Sequence, residues 1–334
     1  MICYIKINST NKAKADIDTL MHNMQFNDLS VKGPGSGSVE TFFRKVFSGM
    51  NLLFQIHKGD ILIIQYPFKK FYKAYCRMAH LKGAKTITLI HDLGTFRRKK
   101  LTAEQEINRL NKTDYIIAHN EKMKTWLEEH GCKCPIGCLT IFDYLSDAEP
   151  IVTDYKPPFN HVAYAGGLFQ RKNAFLYQLG EALNDCSIDL YGKGDIDFSK
   201  ISSNVKSHGR IAPDEFVRNT NADWGLVWDG DSVNGCGGIW GDYLKINNPH
   251  KTSFYLRAGL PVIVWKESAV APFIIQNNLG IAIDSLNEVP EIINNYDASI
   301  YNEIKNNVRQ IKTQLQSGYY FSKAINEALQ VLEK

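Results

Sequence analysis

The sequence lacks several features that would indicate a function class directly. Its 334 residues carry a formal net charge of only +4, far from the clustered cationic excess typical of nucleic-acid-binding proteins. No run reaches the roughly 18–20 apolar residues that a membrane span requires. The first residues resemble a short strand and not a secretory signal. We therefore expect a cytoplasmic protein without a nucleic-acid partner, and leave peripheral contact with the inner face of the cell membrane open.

Paired cysteines and the common nucleotide-binding motifs are also absent. The seven cysteines are odd in number and scattered, which argues against a disulfide framework. The run from His130 to Cys138 lacks the paired CxxC spacing of a zinc site, so we predict reduced cysteines in a turn and no metal. Neither GxGxxG nor a Walker P-loop occurs, which disfavours a dinucleotide-binding enzyme or an ATPase.

The sequence does contain apolar runs that alternate with helical patterns through both halves. Continuous apolar strands between helices predict parallel sheets covered on both faces, an α/β fold. We predict an N-terminal domain over residues 1–150, a C-terminal domain over 158–318, and a last helix over 319–334 that returns to the first domain. The predicted strands are residues 2–7, 61–66, 85–92, 114–120, 138–144, 161–167, 187–194, 222–230, 261–265 and 280–283.

The segment Asn247–Ile263 predicts a short helix that begins at an anion-binding site. Asn248 suits the N-cap, Pro249 the first helical position and Gly259 the position after the last turn. A helix N-terminus already presents free N–H groups and partial positive charge. Because His250 and Lys251 follow at once, we predict that this helix start binds a phosphate.

Two further strand ends converge on that helix start if the strands are parallel. Gly166 and Gly167 would let a ligand approach the backbone, and Arg171 would grip a phosphate. Tyr191 ends another strand and would face a nucleobase. Together these residues predict a nucleotide diphosphate site. Each also has a plain structural alternative, namely a turn, a solvated charge or a packed ring.

The N-terminal domain has its own polar strand ends, which supply candidates for a catalytic base. His91, Asp92 and His119 directly follow apolar runs. Any of them would accept a proton from an acceptor hydroxyl; alternatively, Asp92 caps a helix and His119 packs. The Gly33–Ser38 segment would close over the acceptor or act as a plain linker.

The run NNPHKTSFYLRAGLPVIVWKESAVAPFIIQNNLGIAI, residues 247–283, resembles the nucleotide-sugar-binding region of GT-B glycosyltransferases. More narrowly, it is similar to the family containing the third glucosyltransferase of the streptococcal serine-rich adhesin pathway and bacterial β-1,6-galactofuranosyltransferases. The runs ILIIQYP, TLIHDL, DYIIAHN, IFDYL and HVAYAGGL fit the same family in order. The resemblance covers nearly the whole chain.

The resemblance implies a GT-B fold, with two Rossmann-like domains whose parallel sheets face a central cleft. It implies a UDP-sugar donor bound by the C-terminal domain, with Arg171 and Lys251 on the diphosphate and Asn248, His250 and Tyr255 nearby. It also implies no obligatory metal and no cofactor beyond the donor, a homo-oligomer, and transfer of galactofuranose or glucose to a glycan, glycolipid or glycoprotein. A GT-B-type nucleotide-sugar epimerase and a non-catalytic UDP-sugar-binding partner of a glycosylation complex remain alternatives.

Overall fold

The computed structural model describes residues 1–6, 10–31, 38–68, 71–97, 100–151 and 156–333. Contacts divide the chain into two compact units, here called unit 1 (Met1–Thr140 with Tyr320–Lys334) and unit 2 (Ile141–Tyr319). Residues 33–37 of the predicted Gly33–Ser38 loop lie outside the described residues. None of the described helices combines the length and the hydrophobicity needed to cross a bilayer.

Unit 1 begins with a strand and alternates strands with helices. Its elements are β1 (Ile2–Tyr4), α1 (Lys12–Asn23), β2 (Asn27–Asp28), α2 (Ser38–Gln55), β3 (Ile61–Tyr66), α3 (Tyr72–Leu81), β4 (Lys85–Ile90), α4 (Gly94–Arg97), α5 (Ala103–Leu110), β5 (Tyr115–Ala118), α6 (Glu121–Glu129) and β6 (Ile136–Cys138). Thr102 caps α5 through a reciprocal capping box with Gln105, as a Thr-x-x-Gln start predicts.

The described strands of unit 1 form one parallel six-stranded sheet in the order β2-β1-β3-β4-β5-β6. Five of the six residues of β3 are buried, which is why the run lacks polar alternation. The predicted α/β class is confirmed. The predicted strand over Cys138–Tyr144 is wrong beyond Cys138, because Thr140 adopts a φ of 74°, in the left-handed region that a strand cannot use.

Unit 2 repeats the alternation, and the chain ends in long helices. The elements are β7 (His161–Ala165), α7 (Gln170–Asn173), α8 (Leu176–Ala182), β8 (Ser187–Tyr191), β9 (Val205–Gly209), α9 (Pro213–Asn219), β10 (Trp224–Val227), α10 (Gly238–Leu244), α11 (His250–Arg257), β11 (Val262–Trp265), α12 (Ala271–Gln276), β12 (Gly280–Ile283), α13 (Val289–Asn294), α14 (Ala298–Ser317) and α15 (Tyr319–Leu332). Most of α15 groups with unit 1.

The described strands of unit 2 form a second parallel six-stranded sheet, ordered β12-β11-β10-β7-β8-β9. The chain starts in the middle at β7, builds outward to β9, then returns to β10 on the other side of β7. The strand order therefore reverses between β7 and β10. In open α/β sheets, ligands bind outside the carboxyl ends of the strands at such a switch point.

The helix that begins the predicted anion site is α11. Its N-cap is Pro249, with extended dihedrals, so the prediction of Asn248 as the N-cap is wrong by one residue. Gly259 has a φ of 75° just beyond the last turn, which confirms its predicted role after the helix end. The loop predicted around Asn234–Gly238 leads into a helix, α10, that the glycine-rich sequence did not indicate.

Candidate functional site

Unit 2 contains a cavity of about 550 Å³ at the carboxyl edge of its sheet. This volume is typical of small-molecule sites. The loops after β7, β8 and β9 form part of its wall, and the first turn of α11 forms another part. The lining residues are Tyr144, Ala165, Gly166, Gly167, Phe169, Tyr191, Gly192, Lys193, Arg210, Ile211, Pro213, Phe216, His250, Lys251 and Phe254.

Glycines allow the loops after β7 and β8 to pack against each other. A Cβ on Gly192 would lie 1.8 Å from the Gly166 carbonyl oxygen, so no other residue fits there without moving the backbone. The Gly166 N–H donates to the Tyr191 carbonyl oxygen at 2.9 Å. Buried Asn173 donates its side-chain amide to the Gly167 carbonyl oxygen. The glycine loop is thus held in one conformation with its backbone at the cavity wall.

A buried ion cluster lies directly behind that loop. Lys251 Nζ is 3.0 Å from Asp229 Oδ1, and Lys172 Nζ is 3.1 Å from Asp229 Oδ2. Lys251 also donates to the Tyr164 hydroxyl at 2.7 Å, and its Nζ lies 4.0 Å from the centre of that ring. One carboxylate therefore holds two lysines in place, which leaves the cluster with a formal excess of positive charge.

Burial and neighbouring charges shift the pKa values of Asp229 and Lys251 in opposite directions. Burial raises the pKa of Asp229, but Lys251 and Lys172 outweigh it and hold that pKa below its ordinary value. Burial lowers the pKa of Lys251 to about 8, with Asp229 acting in the other direction. Lys251 is thus a cation at neutral pH whose charge is less firmly held than that of an exposed lysine.

The cavity wall is cationic. Besides Lys251, the side chains of Lys193 and Arg210 line it, and among the described residues no aspartate or glutamate does. His250 and Lys251 are the first two residues of α11, where backbone N–H groups lack intrahelical acceptors. A cavity with these cations and the positive end of a helix favours an anionic ligand.

Aromatic rings form the apolar part of the wall. Phe216 and Phe254 lie 4.7 Å apart between ring centres, and Tyr144 stacks on His250 at 4.9 Å. Tyr191 stacks on His208 at 4.9 Å with an interplanar angle of 17°. Rings beside a cationic wall would accommodate a planar base and a charged group in one ligand.

The structure brings together five of the predicted donor-site residues and leaves three outside the cavity wall. Gly166, Gly167, Tyr191, His250 and Lys251 line the cavity. The three others are Arg171, Asn248 and Tyr255.

Each of the three has an identifiable position. Arg171 is exposed on α7, with its guanidinium 5.8 Å from the Phe169 ring centre, while its neighbour Lys172 turns inward. Asn248 is buried just before α11. Tyr255 is fully buried, and its hydroxyl accepts the Ala165 N–H at 2.6 Å. Tyr255 therefore supports the glycine loop from behind.

Sequence patterns did not reveal the remaining lining residues. Lys193 directly follows the Tyr191–Gly192 strand end and would have been found by extending that motif by one residue. Arg210 follows β9 in the same way. Tyr144, Phe216 and Phe254 look like ordinary core aromatics in the sequence, and only the packing shows that they border a cavity.

In unit 1, the predicted base His91 belongs to a chain of buried polar side chains. Its Nε2 lies 2.7 Å from Gln65 Oε1, and Gln65 Nε2 donates to Asp18 Oδ1 at 2.6 Å. Asp18 and Gln65 are almost fully buried and His91 is 8% exposed. Because a carbonyl oxygen only accepts, the neutral His91 ring carries its proton on Nε2, and Nδ1 is its basic nitrogen.

The other two predicted bases differ from His91 in their surroundings. His119 is 1% exposed, and its Nε2 lies 3.0 Å from the Ile90 carbonyl oxygen, to which it donates. Burial lowers the pKa of His119 to about 3, so the ring is neutral and packs between strands. This geometry fits the structural alternative for His119. Asp92 is half-buried after β4, two residues before α4 begins at Gly94.

The cysteine turn contains one close pair. The sulfur atoms of Cys132 and Cys134 lie 3.7 Å apart, and none of the seven cysteines forms a disulfide bond. In the described part of the chain, no group of three histidine, cysteine, aspartate or glutamate side chains is arranged to hold a metal ion.

Comparison with known families matches both halves of the chain. The Glucosyltransferase 3-like N-terminal domain matches residues 5–141, and the Glucosyltransferase 3-like C-terminal domain matches residues 162–328. Among curated proteins, the chain is 32% identical to the beta-1,6-galactofuranosyltransferase WbbI of Escherichia coli K12, covering 96% of this chain and 94% of that protein. It is 25% identical to Glucosyltransferase 3 of Streptococcus gordonii, covering 95% and 93%.

Solved structures share the fold at much lower identity. The lipopolysaccharide outer core galactosyltransferase WaaB superposes with a TM-score of 0.63 at 14% identity, covering 98% of this chain and 99% of that one. A glycosyltransferase from Rickettsia africae gives a TM-score of 0.55 at 10% identity, covering 98% and 88%. With two parallel six-stranded sheets among the described residues, these likenesses confirm the predicted GT-B fold.

Proposed function

Since the chain belongs to the Glucosyltransferase 3-like family and is a glycosyltransferase, we propose that it transfers a hexosyl group from a UDP-sugar to a hydroxyl of a glycan, glycolipid or glycoprotein. The observation that carries this proposal is the cavity of unit 2. It lies at the carboxyl edge of a parallel sheet, its wall holds Lys193, Arg210 and Lys251, and none of its described lining residues is acidic.

The diphosphate of the donor is assigned to the Lys251 side of the cavity. Lys251 is fixed by Asp229 and Tyr164, so it needs little reorganisation to meet an anion. The first N–H groups of α11 and the backbone of Gly166 border the same space. The prediction that Arg171 also contacts the diphosphate is untested. We assign that contact to Lys193 and Arg210 instead, because they line the cavity and Arg171 does not.

The uracil is assigned to the aromatic side of the cavity. Tyr191, Phe216 and Phe254 would offer ring faces or edges to a planar base. This assignment keeps the earlier interpretation of Tyr191 and adds two rings that the sequence did not indicate.

We further propose that transfer proceeds without a divalent metal. When the glycosidic bond breaks, negative charge develops on the departing UDP, and something must stabilise it. Lys251 and the positive end of α11 lie on the wall assigned to the diphosphate and would supply this stabilisation. The donor is then a substrate, and the protein needs no cofactor.

The sugar is assigned to the galactofuranosyl type, with glucosyl as the alternative. This choice depends on the higher identity to a protein named a galactofuranosyltransferase, 32%, than to one named glucosyltransferase 3, 25%. The cavity lining by itself does not separate the two sugars, because its polar groups are assigned to the nucleotide.

For the acceptor, we propose that unit 1 binds it and that His91 is the general base. The chain Asp18–Gln65–His91 fixes the ring and keeps the proton on Nε2, which leaves Nδ1 as the basic nitrogen. Nδ1 is buried in this structure, so the proposal requires that acceptor binding open this position to the hydroxyl. Asp92, the next residue, is the second candidate. The buried, neutral His119 is not assigned a catalytic role.

The test is turnover of purified protein with UDP-galactofuranose, UDP-galactopyranose or UDP-glucose, with and without a mixture of glycan acceptors. UDP release that requires an acceptor and persists in EDTA supports the proposal. An isomerised nucleotide sugar formed without acceptor would instead indicate an epimerase. UDP binding without turnover of any donor would indicate a non-catalytic binding partner. Absence of any UDP-induced thermal stabilisation would overturn the donor site itself.

A further inference from the structure

Helix α2 of unit 1 presents a line of large apolar side chains to solvent. Phe43, Phe47, Met50 and Phe54 are 51%, 50%, 50% and 77% exposed. Their spacing of four, three and four residues places them on one side of the helix. We call these four residues the apolar stripe. Surface helices of soluble proteins usually place such residues toward a core, so this stripe requires an explanation.

The other side of α2 already has a core partner, so the helix is not misoriented. Leu52 is fully buried, and Ser48 is 3% exposed. The Ser48 hydroxyl accepts the Val31 N–H at 2.9 Å, and Gly49 packs closely on the Tyr75 ring of α3. If α2 were rotated so that the apolar stripe became buried, Leu52, Ser48 and Gly49 would become exposed. The packing of these three residues therefore keeps the stripe on the outer side of the helix.

The segment that carries the apolar stripe has a larger net positive charge than the whole chain. Residues 38–85 contain nine lysines and arginines against two acids, Glu40 and Asp60, a formal excess of +7. The whole chain carries only +4, so all other residues together carry −3. Asp60 is 7% exposed and binds the N-terminal ammonium at 2.7 Å, so it does not offset the cations at the surface.

Helix α3, which packs against α2, contributes some of these charges to the surface. Lys73 and Arg77 are exposed and lie four residues apart, hence on one face of α3. Phe42 and Phe71 connect the two helices at a ring distance of 5.5 Å. Large exposed apolar side chains and exposed cations therefore occur on one helix pair.

We propose that the apolar stripe of α2, with the exposed cations Lys73 and Arg77 of α3, docks unit 1 on an anionic phospholipid surface. Apolar side chains with flanking lysine and arginine characterise helices that lie in the bilayer interface. Anionic headgroups attract the cations, and the acyl boundary receives the phenylalanines. The proposal goes beyond sugar transfer and does not depend on which donor is used.

The charge distribution favours a lipid surface over a second copy of the chain. A symmetric dimer through the apolar stripe would place two like-charged segments opposite each other, which costs free energy unless acids intervene. Between the start of α2 and residue 85, the exposed acid available for that purpose is Glu40 alone, against nine lysines and arginines. An anionic bilayer instead complements both the apolar and the charged parts of the face.

The test is co-sedimentation of the full chain with vesicles of mixed phosphatidylglycerol and phosphatidylcholine, and with vesicles of phosphatidylcholine alone. We expect the wild type to bind the anionic vesicles at least tenfold more strongly than the neutral ones, with binding reduced by salt. Phe47→Ser/Phe54→Ser and Lys73→Glu/Arg77→Glu should each reduce binding to anionic vesicles by about tenfold or more.

Matched surface changes in unit 2 serve as controls. Phe198→Ser/Ile275→Ser removes two apolar side chains that are 45% and 54% exposed, and should leave vesicle binding unchanged. Circular dichroism and thermal midpoints verify that all variants fold. Equal vesicle binding by the wild type and both α2–α3 variants would overturn the proposal. So would a wild-type oligomer that dissociates on Phe47→Ser/Phe54→Ser without vesicle binding, because the partner would then be a second copy.

Discussion

The two units share a parallel-sheet topology but use the polar residues at their strand ends in different ways. In unit 2, residues after β7, β8 and β9 border a cavity of about 550 Å³ with cations on its wall. In unit 1, polar residues at the carboxyl ends of β3 and β4 bond to one another, as in the contact of 2.7 Å between Gln65 in β3 and His91 after β4. Strand-end position alone therefore does not define a ligand site; what matters is whether the side chains satisfy one another or remain directed at open space.

The largest expected effect tests the unit 1 side of this comparison. His91→Ala should lower kcat by about 10²–10⁴-fold with little change in UDP affinity, because it removes the proposed base and leaves the donor cavity intact. Steady-state kinetics with the acceptor identified as above measures this.

His119→Asn provides the contrast for that experiment. Because His119 is a packed, neutral side chain, its replacement should reduce thermal stability more than kcat of the folded protein. A His91→Ala enzyme with wild-type kcat would remove His91 from the mechanism and leave Asp92 as the remaining candidate.

The next effect concerns the buried charges of unit 2. Asp229→Asn should lower the free energy of unfolding by about 3 kcal/mol, because it leaves the half-buried Lys251 and Lys172 without their shared, buried carboxylate. Asp284→Asn is the matched control, since its partner Lys266 is 63% exposed and such surface pairs contribute about 0–1 kcal/mol. Urea unfolding of both variants measures the two changes in the free energy of unfolding. If Asp229→Asn and Asp284→Asn lowered it equally, the Asp229 cluster would not be a stabilising element.

A third effect separates cations on the cavity wall from a cation outside it. Lys251→Ala should weaken UDP binding by about 1.5–3 kcal/mol, the cost of a lost charge-assisted contact. Arg171→Ala should weaken it by less than about 0.5 kcal/mol, because this side chain is exposed and does not line the cavity. Titration calorimetry measures the UDP affinity of both variants, with Lys251→Arg as the charge-conserving control. If Arg171→Ala and Lys251→Ala weakened UDP binding equally, the prediction from sequence that Arg171 contacts the diphosphate would be supported.

The smallest effect is a pH dependence. Burial places the pKa of Lys251 at about 8, so its positive charge is present below that pH and is lost as the pH rises through it. UDP affinity should therefore fall by up to about tenfold between roughly pH 7 and pH 9. In Lys251→Arg the charge persists throughout, so the same titration should be nearly flat. A wild-type affinity that does not change over this range would argue against a Lys251–phosphate contact.

Much of the fold could be predicted from sequence because burial on both faces leaves a clear pattern. The run Ile61–Tyr66 matches β3 residue for residue, and Gly280–Ile283 matches β12. The predicted ends of strands were wrong where they depended on the backbone conformation of a single residue. Thr140 is an example, because its left-handed conformation rules out the strand predicted across it. Helix α10 was missed because its N-cap Gly237 and its first residue Gly238 are glycines, which normally indicate a loop.

The site was predictable only in part, because it is assembled from separate loops. The pair His250–Lys251 was found because a helix start carries its own signal. The roles of Arg171 and Lys172 could not be separated, since neighbouring residues on a short helix point in different directions and only the tertiary fold decides which one meets Asp229. Asp229 itself had no sequence signal, because its partners Lys172 and Lys251 are distant along the chain.

The most direct test of the donor site is a crystal structure of the protein with UDP bound. We predict that the diphosphate lies within hydrogen-bond distance of Lys251 Nζ or of the first N–H groups of α11, with the uracil against Tyr191, Phe216 or Phe254. UDP bound elsewhere, with this cavity empty of nucleotide, would contradict the account.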